Sequence, residues 1–179
     1  MVKAVAVFIA IGVLALVALH GVGEEGVREV IRWTARSSLV FLCAALATEG
    51  WRRALSPGWD RPALLGSLAL SHTVHALAIA TLAVQTDGRN LVERGAPVNV
   101  LGGALAYAFI FWGALKPYSR LTSAGLVWIW GVFMFGYGTR ALRMPMPFAF
   151  AVGLLLVAML LRVAGPPSVG RRPEAMIPE

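Results

Sequence analysis

The chain has 179 residues, of which 58% are hydrophobic and 14% charged; its mean hydropathy is +0.73, whereas soluble domains carry about 25% charged residues. This composition excludes an ordinary water-soluble fold, and at about 20 apolar residues per crossing the length allows six membrane spans with no separate nucleotide-binding or peptidase module. The net charge of +7 does not point to nucleic acid, because Lys and Arg stand singly or in pairs at the ends of apolar runs, where topology and anionic headgroups account for them.

Apolar runs and their breakers predict an all-α polytopic membrane protein. It is a bundle of about six transmembrane helices over 2–20, 28–48, 62–85, 97–115, 121–141 and 145–164. Residues 1–165 form the bundle and 166–179 a flexible polar tail. The first run follows Lys3 like a signal peptide, but it is long for an h-region and no small-x-small cleavage site follows, so it reads as a membrane helix. His20, at its end, reads as an interfacial polar cap.

In the second run Arg36 lies one turn from Arg32. It is placed either to bind a haem propionate or lipid phosphate bidentately, or to snorkel to the interface. Cys43 is the single cysteine, which excludes an internal disulfide and reads as a small packing residue. Trp33, Trp51, Trp59, Trp112, Trp128 and Trp130 mostly fall near predicted helix ends, as interfacial anchors do.

The third run holds the most informative residues, His72 and His75, near mid-helix in Leu70-Ser-His-Thr-Val-His-Ala-Leu77. Polar side chains at that depth are costly and usually functional, and a spacing of three puts both imidazoles on one helix face. Imidazole is an axial ligand for haem iron, but two histidines on one face cannot clamp both sides of the same haem. Ion handling and hydrogen bonding that simply ties helices together are the competing readings.

Glycines at 66, 102, 103, 125, 131 and 136 permit close helix approach or leave room for a flat cofactor. No Gly-x-Ser-x-Gly, His-Glu-x-x-His or phosphate loop is present, and the carboxylates lie near helix ends, in loops or in the tail, which disfavours a small transporter. Six crossings place Lys3, Arg52, Arg53, Arg61, Lys116, Arg120, Arg162, Arg171 and Arg172 on the side of the termini. Arg28, Arg32, Arg36, Arg89, Arg94, Arg140 and Arg143 fall on the other, and the balance favours cytoplasmic termini.

Three segments resemble the ferric reductase-like transmembrane family: Trp33-Thr-Ala-Arg-Ser-Ser-Leu-Val-Phe41, Arg61-Pro-Ala-Leu-Leu-Gly66 with Ser71-His-Thr-Val-His-Ala76, and Tyr118-Ser-Arg-Leu-Thr-Ser-Ala-Gly125 with Val127-Trp-Ile-Trp130. The resemblance implies a b-type haem with His75 as the metal ligand, His72 as second candidate and Arg36 as a propionate partner. Where the family has the partner histidine on its fifth helix, this sequence has Thr122. The haem is then five-coordinate or uses another ligand such as Met134, a neighbouring subunit supplies the ligand, or the bundle carries no haem and packs lipid, pigment or partner helices. The implied function is an accessory or electron-relay subunit of a bacterial-type redox or energy-conversion complex in the inner membrane. Without a flavin or NAD(P)H module, it is not an enzyme alone.

Overall fold

The computed structural model describes residues 2–50, 60–89 and 97–164. Trp51, Arg52, Arg53, Trp59, Arg94 and the tail with Arg171 and Arg172, all named above, lie outside the described residues. Six helices occur among those described: α1 (Val2–His20), α2 (Glu24–Gly50), α3 (Arg61–Gln85), α4 (Pro97–Leu115), α5 (Arg120–Ala141) and α6 (Pro145–Ala164). Four of them, α1, α2, α3 and α5, are long and apolar enough to cross a membrane, while the apolar stretches Leu101–Leu115 and Phe148–Ala164 are shorter.

The largest boundary difference from the sequence reading is at α2, which starts four residues earlier than its apolar run. Glu24 and Glu25 occupy its first turn, where the helix dipole favours negative charge, and ion pairs Glu24 with Arg28 and Glu29 with Arg32 follow at helical spacing. These polar residues carry the helix past the point where hydrophobicity begins. Gly21, at φ +76°, ends α1 through its N–H to the Val17 carbonyl, 2.8 Å away. Only glycine takes that backbone conformation without strain.

Asp60 caps α3 by accepting from Ala63 N at 2.7 Å, with Pro62 in the first turn. Ser119 caps α5 in the same way, accepting from Thr122 N at 3.0 Å.

α2 is the hub of the packing. Helices α2, α3, α4, α5 and α6 contact one another in a closed ring, and α1 lies outside it against α2 and α3. The core is formed mainly of Leu42, Leu46, Leu65, Leu68, Ile110, Leu126, Ile129 and Leu155, all essentially inaccessible. α1 packs through Gly12, where a Cβ would come within 2.3 Å of the Trp33 ring. Its other face leaves Phe8, Ile11 and Leu14 exposed.

The tryptophans are not uniformly terminal. Trp112 sits at the end of α4 and donates to Ser119 Oγ at 3.1 Å, whereas Trp130 lies mid-helix and donates across to the Leu155 carbonyl at 3.0 Å.

One polar cluster joins four helices at the end where α2 and α6 finish and α3 and α5 begin. The Glu49 carboxylate lies 3.3 Å from Arg61 Nη2 and 3.2 Å from Arg162 Nη2. It also accepts from Ser123 Oγ, while Arg162 donates to the Ser123 carbonyl at 3.0 Å. The Arg61 side chain is 8% exposed and those of Glu49 and Arg162 are 17% exposed, so their charges are largely withdrawn from water. Removing one member of a buried ion cluster strands the others. Glu49→Ala is expected to lower stability by about 3 kcal/mol, and Glu49→Gln by less, in thermal unfolding of the purified protein. Parent-like unfolding of Glu49→Ala would mean that the cluster contributes nothing.

Candidate functional site

Inside the ring, the seam between α2 and α3 is polar and continuous. Ser38 Oγ donates to Ser71 Oγ at 2.9 Å, and Ser71 Oγ donates to the Thr34 carbonyl at 3.1 Å. Thr34 Oγ1 donates to the Val30 carbonyl at 2.7 Å. His75 Nδ1 lies 3.0 Å from Thr34 Oγ1 and 3.2 Å from the Ile31 carbonyl. Thr34, Ser38 and Ser71 are all buried.

This arrangement selects a tautomer. Thr34 has one hydroxyl proton, and the short contact to Val30 uses it. A carbonyl can only accept, so the Ile31 oxygen calls for a proton on His75 Nδ1. That N–H is then shared between Thr34 Oγ1 and Ile31 O, and Nε2 keeps its lone pair. No described residue hydrogen-bonds to Nε2.

His72, one helical turn away, is buried. Its ring centroid is 6.0 Å from that of His75, 5.3 Å from Tyr107 on α4 in an edge-on contact, and 5.7 Å from Phe133 on α5. Among the described residues, His72 Nδ1 and Tyr107 Oη are buried without a hydrogen-bond partner. The aromatic contacts continue from Phe133 to Tyr137 and on to Phe148 of α6, so one layer of rings spans α3, α4, α5 and α6.

The predicted site residues are therefore partly assembled. His72 and His75 share the ring interior. Arg36 is exposed and makes no hydrogen bond or ion pair with either histidine among the described residues. Thr34, Ser38, Ser71 and Tyr107 were not singled out in the sequence. A signal existed: Thr34 and Ser38 on one run and Ser71 and His75 on the next both recur at a spacing of four, which aligns two polar stripes on facing helices.

Thr122 does not face the histidines. It is buried in the first turn of α5, where its hydroxyl donates to the Lys116 carbonyl at 2.6 Å and meets Ser119 Oγ at 2.8 Å. His75 is 14 residues into α3 and Thr122 two residues into α5, both counted from the same end. They differ in depth by about 18 Å at the helical rise. Met134 packs against the hydrophobic core, and His20 is exposed at the end of α1. Among the described residues no three His, Cys, Asp or Glu side chains gather around one metal position.

No protein-family model, curated protein or solved structure matches the chain. The class defined by the fold is an all-helical protein with several helices suited to an apolar bilayer, and the function has to be argued from the site.

Thr34→Val keeps side-chain shape and removes both the acceptor for His75 and the back-bond to Val30. Interhelical hydrogen bonds of this kind contribute about 1 kcal/mol, so a loss of that size in unfolding is expected, with Ser37→Ala as the control off the seam. Equal stability of Thr34→Val and the parent would show that the seam does not hold His75.

Proposed function

We propose that the chain is a six-span integral membrane protein of the bacterial inner membrane with cytoplasmic termini, serving as an electron-relay subunit of a redox or energy-conversion assembly. In this reading His75, through Nε2, would hold a b-type haem. The observation that carries it is the hold on the other ring nitrogen, 3.0 Å from Thr34 Oγ1 and 3.2 Å from the Ile31 carbonyl. Metal-bound histidines are generally oriented through their second nitrogen in this way.

Depth supports the same reading. His75 lies ten residues from the end of α3, about 15 Å along an apolar stretch. Polar groups that far inside apolar helices are costly unless they serve a purpose. Arg36 would supply positive charge for a propionate. His75 would be the residue of this chain that holds the group, because His72 shares its helix face, Thr122 lies at the far end and Met134 is packed in the core; any further ligand would come from a neighbouring chain.

A bound haem would supply a one-electron couple. The chain's own residues do the rest: Thr34 and Ile31 fix the imidazole, while Tyr107 and Phe133 crowd His72 and limit water on that side. Exposed Phe8, Ile11, Leu14, Phe150 and Leu160 suit lipid and partner helices. Reducing equivalents would come from another subunit, so the chain is not an enzyme by itself.

A haem-free accessory subunit is the second reading, favoured by the aromatic packing that fills the space beside His72. Oxidised and dithionite-reduced spectra of the purified protein, with a pyridine haemochrome assay, separate the two. A b-type spectrum at about one haem per chain, lost in His75→Ala and kept in His20→Ala, is expected. A folded preparation without haem would sink the relay and leave the accessory subunit.

A further inference from the structure

A cavity of about 800 Å³ runs along α5 beside the start of α4, with Gly102, Gly103, Gly131 and Gly136 among its lining and Trp128 and Arg140 along its length. It lies on the outside of the ring. The buried side of α5 carries Thr122, Gly125, Leu126, Ile129 and Tyr137, whereas Val127, Trp128 and Phe135, which line the cavity, are exposed.

The four glycines are not demanded by contacts within the chain. A Cβ added at any of them meets nothing within 4 Å. Gly125, on the buried side, differs: a Cβ there would lie 2.8 Å from the Phe109 ring. The outward glycines therefore lower the floor of a groove, while Gly125 serves internal packing.

Arg140 stands at the end of that groove. Its guanidinium is exposed and has no hydrogen-bond or ion-pair partner among the described residues. A groove that is apolar along its length and cationic at the helix end matches a molecule with a hydrocarbon chain and an anionic head. From Arg140 back to Gly131 is nine residues, about 14 Å at the helical rise, close to the hydrocarbon depth of one leaflet, or half of about 30 Å. An acyl chain whose headgroup sits at Arg140 therefore covers Gly136 and Gly131.

We infer that this groove is a binding site for an anionic phospholipid, with one acyl chain over the glycine floor and the phosphate paired with Arg140. The inference rests on the membrane-spanning part of the proposed function and is independent of haem. Trp128, whose Nε1 donates to the Gly102 carbonyl at 3.3 Å, ties the two helices that form the walls, so the groove is present before lipid enters.

The test is native mass spectrometry of the detergent-purified protein titrated with phosphatidylglycerol or phosphatidylcholine of identical chains. One phosphatidylglycerol is expected to be retained about fivefold more tightly than phosphatidylcholine, the effect of one basic side chain at a membrane surface. Arg140→Gln should abolish that preference and leave chain binding. The double substitution Gly131→Leu with Gly136→Leu should abolish retention of both lipids, with unchanged thermal unfolding showing that the fold survives.

Equal retention of the two lipids by the parent, or a preference that survives Arg140→Gln, overturns the inference. So does a dimer that disappears with the glycine substitutions, because a second copy would then occupy the groove. Alkaline extraction from membranes separates this failure from failure of the membrane reading: a protein released without detergent does not span the bilayer, whereas one that stays but shows no lipid preference refutes only the site.

Discussion

In an assembly whose surface is largely apolar, a carboxylate has to find positive partners close by, and Glu49 finds two that belong to different helices. Its pairing with Arg61 and Arg162 and its acceptance from Ser123 bring the beginnings of α3 and α5 and the end of α6 to the end of α2. Hydrophobic packing is poor at fixing register, because one leucine fits a leucine-lined seam nearly as well as the next. A charge cluster with specific geometry is less forgiving. Its role is specificity of arrangement more than raw stability, since a buried ion pair recovers little more than its own desolvation cost.

With that end fixed, the depth of every other residue follows. Counting along antiparallel helices from Glu49 and Arg61 brings Ser38 opposite Ser71 and Thr34 opposite His75, the pairs observed to hydrogen-bond. A slip of one residue in α3 would rotate His75 by about 100° and break the hold on Nδ1. The site chemistry and the distant ion cluster are therefore coupled through rigid helices. The neutral imidazole with its free Nε2 is a consequence of register before it is a feature of the histidine.

Among the described residues, the six long helices, five of their starts and the mid-helix placement of His72 and His75 were legible in the sequence, because apolar runs are strong local signals. The start of α2 was not. Glu24 to Arg28 looks like loop by composition, and its helical state depends on dipole and ion-pair terms that hydrophobicity does not register. Glu49 was read as the first residue of a loop, since nothing local reveals that Arg61 and Arg162, 12 and 113 positions further on, would converge on it. Thr122 was aligned with a ligand position by motif likeness, yet it closes a helix cap. In Ser119-Arg-Leu-Thr122, serine and threonine three apart at a helix start satisfy backbone groups first, and that local demand outweighs a degenerate motif.

The two ends of the ring differ in kind. At one end the charges of Glu49, Arg61 and Arg162 are turned inward onto each other, closing the ring where four helices meet. Toward the other end stand Arg36 and Arg140, both exposed and without an ion pair to an acidic side chain among the described residues. The cluster keeps one positive charge in excess but holds it in fixed geometry among three side chains, whereas Arg36 and Arg140 stay open to water or to headgroups.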